Sequence, residues 1–366
     1  MHIEPLDSWV AGFKKPLLIA GPCSVESEQQ FSETVAGFAG LPVNFIRGGI
    51  WKPRTRPGSF EGNGARALDW VDEVSKTHPL SFATEVATAA HVEAALSHGI
   101  KLLWIGARTT VNPFNVQQIA DAVKGKDVAI FIKNPINPDL ALWKGAIERF
   151  SKVGITKLGA IHRGFHSFQE TKYRNPPFWQ IPLELKSELP DLPLICDPSH
   201  IAGDRELIQE VAQRALDLNY DGLMIESHCN PDAALSDARQ QVSPARLKQI
   251  LNSLELRSSS FSNEQIKDEL ATIREQIDQV DREILEAIAT RMSLVSRIGD
   301  YKKENNVAIF QISRWKEIFK SRPKWGEAMK LDPEFTMELY RQIHQQSVKA
   351  QTRIFNQEDE EIDLNI

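Results

Sequence analysis

Eight short apolar runs recur along the first 226 residues, and their regular spacing constrains the fold more than any other feature of the chain. They are Pro16 to Ala20, Val43 to Arg47, Leu80 to Thr84, Lys101 to Ile105, Val128 to Lys133, Lys157 to His162, Leu192 to Asp197 and Asp221 to Glu226. Each has the length and composition of a buried strand. Between them, Ala89 to Ser97, Val116 to Val123, Leu140 to Phe150 and Arg205 to Leu218 space their apolar residues as amphipathic helices do. Eight such alternations in roughly 250 residues predict an α/β protein built on a closed (β/α)8, or TIM, barrel, with its site at the C-terminal ends of the strands. An open doubly wound sheet is the rival, but no Gly-rich dinucleotide fingerprint follows the first run.

The barrel reading makes a demand on the sequence: functional side chains should gather where strands end. In chain order these ends carry Cys23, then Arg47 with Lys52 and Arg54, then Glu85, Arg108, Lys133, Arg163, Asp197 with His200, and Glu226 with Asp237. A lone Arg or Lys is most often a solvated loop charge. Several cations aimed at one mouth point instead to a ligand with several negative charges, because Arg forks match phosphate and carboxylate alike.

His200, Glu226 and Asp237 supply one nitrogen and two carboxylates, a ligand set one donor short for a catalytic divalent ion. A free cysteine is usually a small buried apolar residue, and Cys196, inside its strand, belongs to that class. Cys23, just past the first strand, is placed to be the missing donor. The resulting S, N, O site suits a divalent metal, taken here as Mn²⁺ with Fe²⁺, Co²⁺ or Zn²⁺ as alternatives.

At 366 residues the chain is long for one domain. A formal charge of -6 with a pI near 5.9 argues against nucleic acid or an anionic membrane as partner. Three cysteines in no disulfide-like spacing, no apolar signal core in Met1 to Trp9 and no run of membrane-span length predict a cytoplasmic protein.

The motifs Gly21-Pro22-Cys23-Ser24, Lys52-Pro53-Arg54-Thr55, Gly106-Ala107-Arg108, Ile132-Lys133-Asn134, His162-Arg163-Gly164, Asp197-Pro198-Ser199-His200 and Ile225-Glu226-Ser227-His228 resemble those of 3-deoxy-D-arabino-heptulosonate 7-phosphate (DAHP) synthase. The resemblance runs in order through nearly all of residues 1 to 250 and implies condensation of phosphoenolpyruvate with erythrose 4-phosphate. It implies metal ligation by Cys23, His200, Glu226 and Asp237. It places Arg108, Lys133 and Arg163 on the phosphate of phosphoenolpyruvate, Arg47 and Lys52 at its carboxylate end, and Arg54 and Thr55 on the sugar phosphate. Lys52 would deliver a proton to the new alkoxide. Asp197 would either orient or deprotonate the attacking water, or hold loop amides. The chain departs from the pattern at Arg56, where many relatives have Ser.

After Leu256 a polar, Ser-rich stretch, residues 257–263, reads as a linker. Beyond it Ile266, Leu270, Ile273, Ile277, Val280 and Ile284, then Ile288, Met292, Val295 and Ile298, step by threes and fours, predicting one helix to about Glu304. Shorter helices are expected over Ser313 to Lys320 and Glu334 to Ile354, with Pro323 and Pro333 marking the break. Three helices this uneven bury the long one poorly, which predicts a homodimer through this domain. Its cations, by spacing alone, read as a solvated face.

Residues 273–278 with Arg291, Lys302, Arg314 and Ser347 to Gln351 resemble the all-helical chorismate mutase pattern over about 264 to 353. That family rearranges chorismate to prephenate by electrostatics and positioning. The resemblance implies a chorismate site of Arg274, Arg291, Lys302, Arg314, Ser347 and Gln351, with Lys302 and Gln351 at the breaking ether oxygen. Arg274 and Arg291 are 17 positions apart, which on one straight helix is about 25 Å. If both serve one substrate, Arg274 comes from a partner chain. Gln311 stands where relatives often have Asp, and Trp315 where they often have the Glu that binds the substrate hydroxyl.

The expected protein is thus a bifunctional shikimate-pathway enzyme with a synthase barrel over residues 1–256, a linker over 257–263, a mutase domain over 264–354 and a disordered acidic tail over 355–366. With no separate regulatory domain before the first strand, the mutase domain is expected to mediate inhibition by prephenate or chorismate. The alternatives are a helical domain that senses without catalysing, and a barrel acting as a 3-deoxy-octulosonate 8-phosphate synthase.

Overall fold

The computed structural model describes residues 1–52, 58, 60–78, 81–168, 170–258 and 263–356, and they fall into two compact units, one on either side of residues 259–260. In the first, eight parallel strands close into a barrel. They are β1 (Leu17–Gly21), β2 (Phe45–Arg47), β3 (Ser81–Val86), β4 (Leu102–Ile105), β5 (Ala129–Lys133), β6 (Leu158–His162), β7 (Leu194–Cys196) and β8 (Gly222–Glu226). Each falls within or overlaps one of the eight apolar runs. Closure is made by β1 pairing with β8 from Leu17 opposite Gly222 to Gly21 opposite Glu226.

Alternation along the strands sorts two cores. Leu17, Ile19, Phe45, Ala83, Leu102, Trp104, Ala129, Phe131, Ile161, Ile195 and Met224 fill the interior, closed at the N-terminal end by Leu6 and Val10 of the leading segment. Their sequence neighbours Leu18, Ala20, Ile46, Leu103, Ile130, Ile132 and Leu223 face outward against the helices. The helices begin at conventional caps, with Ser27, Thr88, Asn112, Asp139 and Ser243 each accepting a first-turn amide.

Among its described residues the second unit has three helices, Glu264–Glu304, Ile312–Ala328 and Pro333–Asn356. The long helix ends where its apolar period ends. The middle helix differs from expectation: it runs through Pro323 to Ala328. Proline removes one donor, but contacts on both sides hold the helix together. Ile318 is buried, Gly326 lies so close to Thr336 that an added Cβ would stand 2.2 Å from its Oγ1, and the Arg322 guanidinium stacks 4.3 Å over Trp325. The last helix starts at Pro333, with the Asp332 carboxylate accepting from the amide of Phe335. The expected tail from residue 357 and linker residues 259–262 lie outside the described residues. Among the described residues no helix is long and apolar enough to cross a membrane.

Candidate active sites

The alternation that fills the barrel also selects the side chains of its mouth. Two residues beyond the interior Phe45, Ala83, Phe131, Ile161, Ile195 and Met224 come Arg47, Glu85, Lys133, Arg163, Asp197 and Glu226, on the same side of each strand or its extension. Cys23 joins them through a turn only glycine permits. Gly21 has φ +153, and a Cβ there would lie 2.0 Å from the carbonyl oxygen of Arg47.

The four candidate ligands meet as two pairs. The Cys23 thiol lies 3.3 Å from Asp237 Oδ2, and His200 Nε2 lies 3.9 Å from Glu226 Oε1. Asp197 caps the short helix Pro198–Ala202, with Oδ1 accepting the amide of His200 at 3.1 Å. Its Oδ2 lies 2.8 Å from His200 Nδ1, a charge contact not aligned as a hydrogen bond. A carboxylate behind one ring nitrogen leaves the other facing the site, the usual arrangement for a metal-binding imidazole. Asp237 holds a left-handed backbone at φ +46, which Asp tolerates better than most residues.

Protein cations engage these donors. Lys52 Nζ lies 3.0 Å from Cys23 Sγ, Arg47 lies 3.0 Å from Glu226 Oε1, and Arg174 donates to Asp237 Oδ1 at 2.9 Å. Burial, then Glu226 and Asp237, push the Cys23 thiol up to about 12 against the opposing pull of Lys52 and Arg47. Burial would raise the Glu226 and Asp237 carboxyls, but His200 leads a set of charges that carries both below their ordinary range. Among the described residues no three His, Cys, Asp or Glu donors already stand at metal-binding spacing. The set still fits a divalent ion in donor chemistry, and Glu226 Oε1 is buried with no aligned hydrogen bond.

Beside the donors lie the cations expected to hold the phosphate. Buried Lys133 lies 2.8 Å from Asp197. Arg163 donates to Asn175 at 2.8 Å and is fixed by its amide bonding Asn134 Oδ1. Burial brings its guanidinium down to about 10; Asp197 opposes this, while Arg174 and the exposed Arg108 add to it. Three guanidiniums thus lie within electrostatic reach of one another, an excess of positive charge that an anion would relieve. Asp197 is buried and held well below the usual carboxylate range, because His200 and Lys133 outweigh its burial. That makes it a weak base, which disfavours deprotonation of the water, while its contacts with the His200 amide, His200 Nδ1 and Lys133 are of the kind expected for holding loop groups in place. Arg54 and Thr55 lie outside the described residues.

Sequence reasoning missed Arg174, Gln240 and Gln241. Gln240 donates to Glu226 Oε2 at 2.6 Å and accepts from Arg174 at 2.7 Å. Gln241 accepts the Cys23 amide at 2.9 Å and donates to the Ser236 carbonyl at 2.8 Å. Arg174 sits far from any strand end in the loop after β6, so only the closed fold reveals it. The glutamines carried one signal, their place three and four residues after Asp237.

In the helical unit, Arg291 donates to Ser347 at 2.7 Å and Lys302 to the Ile309 carbonyl at 2.5 Å. Burial lowers the pKa of both, and Arg322 and Arg314 add to the effect at Arg291. Ser347 and Gln351 are buried one turn apart, Gln351 Oε1 without a partner. Arg314 is exposed and pairs with Glu317. Arg274 is exposed on the same unbroken helix as Arg291, about 25 Å along it. The unit therefore gathers Arg291, Lys302, Ser347 and Gln351 but not Arg274.

Comparison with known proteins agrees with this division. Residues 3–260 match the model of the DAHP synthetase I family, and residues 273–352 that of chorismate mutase type II. Phospho-2-dehydro-3-deoxyheptonate aldolase of Thermotoga maritima is 27% identical over 237 residues, covering 65% of this chain and 68% of that protein. Its crystal structure superposes with a TM-score of 0.61 at 26% identity, covering 69% of this chain and 72% of the other. The T-protein of Enterobacter agglomerans is 30% identical over 83 residues, 23% of this chain and 22% of its own length. The chain belongs to the DAHP synthetase I family and carries, behind that domain, a second domain of chorismate mutase type II.

Proposed function

We propose that the barrel condenses phosphoenolpyruvate with erythrose 4-phosphate, releasing phosphate, and that the helical domain converts chorismate to prephenate. What carries the first reading is the convergence of Cys23, His200, Glu226 and Asp237 beside Lys133 and Arg163. Arg108, Lys133 and Arg163 bind the phosphate of phosphoenolpyruvate, Arg47 and Lys52 its carboxylate, and Arg54 and Thr55 the sugar phosphate. C3 of phosphoenolpyruvate forms the new bond to the aldehyde carbon, water adds at C2, and phosphate leaves. Lys52 gives its proton to the new alkoxide, and Asp197 orients the water. Family members generally depend on a divalent metal. Mn²⁺ held by the four donors would supply Lewis acidity at the aldehyde oxygen. Assaying both erythrose 4-phosphate and the five-carbon aldehyde of the octulosonate reaction, with and without chelator, tests substrate and metal together.

The helical domain works as a homodimer on this reading. Ile266, Ile273, Ile277, Val280 and Ile284 are each at least 39% exposed, a stripe too long and apolar for solvent. A partner helix would cover it and bring Arg274 to Arg291. Arginines then clamp the two carboxylates of chorismate, and Lys302 and Gln351 stabilise charge on the ether oxygen. Prephenate or chorismate bound there also inhibits the synthase. One observation favours a sensing role without catalysis: Trp315 offers no carboxylate for the substrate hydroxyl. Measuring both turnovers on the intact protein, with and without prephenate, separates these roles.

A further inference from the structure

We propose that His344 is a substrate-contacting residue of the mutase site, its Nε2 accepting the hydroxyl of the bound ligand. The proposal rests on the mutase reading of the helical domain and adds to it a residue outside the expected chorismate set.

His344, Ser347 and Gln351 lie at positions i, i+3 and i+7 of the last helix, and so on one face. Ser347 on that face is already bonded by Arg291. His344 Nε2 and Gln351 Oε1 are both buried without a hydrogen-bond partner. A buried polar atom left unsatisfied carries a desolvation cost that a ligand can recover, so two on one face beside a cation cluster mark a binding surface. The His344 ring is fixed in place by Trp315, 4.4 Å away between centroids, and by Phe310 at 6.3 Å. Trp315 thus serves as a wall that orients the imidazole.

Burial, then Arg291 and Lys302, hold the imidazole below its ordinary pKa, so at neutral pH it is uncharged and has one acceptor nitrogen. The chemistry of the ligand completes the assignment. Two carboxylates take the guanidiniums. The ether oxygen needs donors, which Lys302 and the amide nitrogen of Gln351 supply. The hydroxyl needs an acceptor; arginine, lysine and tryptophan side chains have none, and of the two unpartnered acceptors on this face Gln351 Oε1 belongs to the amide engaged at the ether oxygen, which leaves His344. With the proton on Nδ1, His344 Nε2 is that acceptor.

The test uses the full-length protein, chorismate and the chorismate analogue lacking the hydroxyl. His344→Phe keeps a ring against Trp315 but removes the acceptor, and should lower mutase kcat/KM about tenfold, the effect of one hydrogen bond in a water-excluded site. His344→Gln should recover most of the loss. The wild type should process the analogue about tenfold less well than chorismate, and His344→Phe should treat the two alike. Far-UV circular dichroism and the thermal melt of the full-length variants, matched to wild type, report that the helical domain of each is folded. A His344→Phe enzyme with wild-type kcat/KM, or one that still discriminates against the analogue, would overturn the proposal alone. A wild type that neither turns over nor binds chorismate would overturn the mutase reading and the proposal with it.

Discussion

The ammonium of Lys52 stands 3.0 Å from the sulfur of Cys23 and 2.8 Å from its carbonyl oxygen. A buried thiol pushed up to about 12 needs more than this one neighbour to ionise. A divalent ion would supply the missing positive charge and release Lys52 toward the substrate. Cys23→Ala and His200→Ala should therefore each lower synthase turnover about a thousandfold or more while leaving mutase turnover intact. Chelator-treated wild type that kept full synthase activity would show that these four donors do not act through a metal.

The Cys23 and Asp237 loops are joined through one side chain, Gln241, which accepts from the first and donates to the second. It is fully buried. Gln241→Met fills the same volume without either bond, and should weaken Mn²⁺ binding 10- to 100-fold, the usual effect of losing a group that orients ligands. Calorimetric metal titration reads this directly. Affinity equal to the wild type would mean the loops hold their places without Gln241.

His162 predicts acid sensitivity of the barrel. Burial carries its pKa down to about 3 despite the Pro177 carbonyl 2.7 Å from Nε2, and Tyr220 lies 3.0 Å from Nδ1. The neutral ring is favoured in the folded state, so its contribution is present above the unfolded pKa near 6.5 and is lost as pH falls toward 3. Between pH 7 and pH 5 that loss is about 2 kcal/mol. Urea denaturation at the two pH values should show it, and His162→Gln should show a smaller difference. An equal difference in the variant would assign the sensitivity to other groups.

The barrel was legible because strand alternation and strand count are local properties written in order along the chain. The same alternation marked Arg47, Lys133, Asp197 and Glu226, which lie two residues beyond interior side chains. The bonds of Arg174 to Asp237 and Gln240, and of Gln241 to the Cys23 amide, were not legible, since each joins loops 60 or more positions apart, the last across the closure between β1 and β8. Pro323 misled for the opposite reason. Its local preference against helix is outweighed by packing of Ile318 and Gly326, which no local rule reports.

On the proposed reading the product of the helical domain inhibits the barrel. Deleting residues 258–366 should give a synthase whose turnover prephenate no longer lowers. The barrel's own hydrophobic core is drawn from residues 3–250, so the truncated protein should fold. Inhibition by prephenate undiminished in the truncated enzyme would place the effector site on the barrel.

Arg274 and Arg291 allow a direct test of whether two chains build each mutase site. Seventeen positions separate them on one helix, about 25 Å, more than one small dicarboxylate can span. Arg274→Ala and Arg291→Ala should each remove most mutase turnover. If Arg274 reaches the partner's site, a mixed dimer has one site with both defects and one with neither. Equal mixing and re-association should then restore about a quarter of wild-type turnover, since half the dimers are mixed and half their sites intact. Sites built within one chain would regain nothing on mixing, because every site would still carry one of the two substitutions.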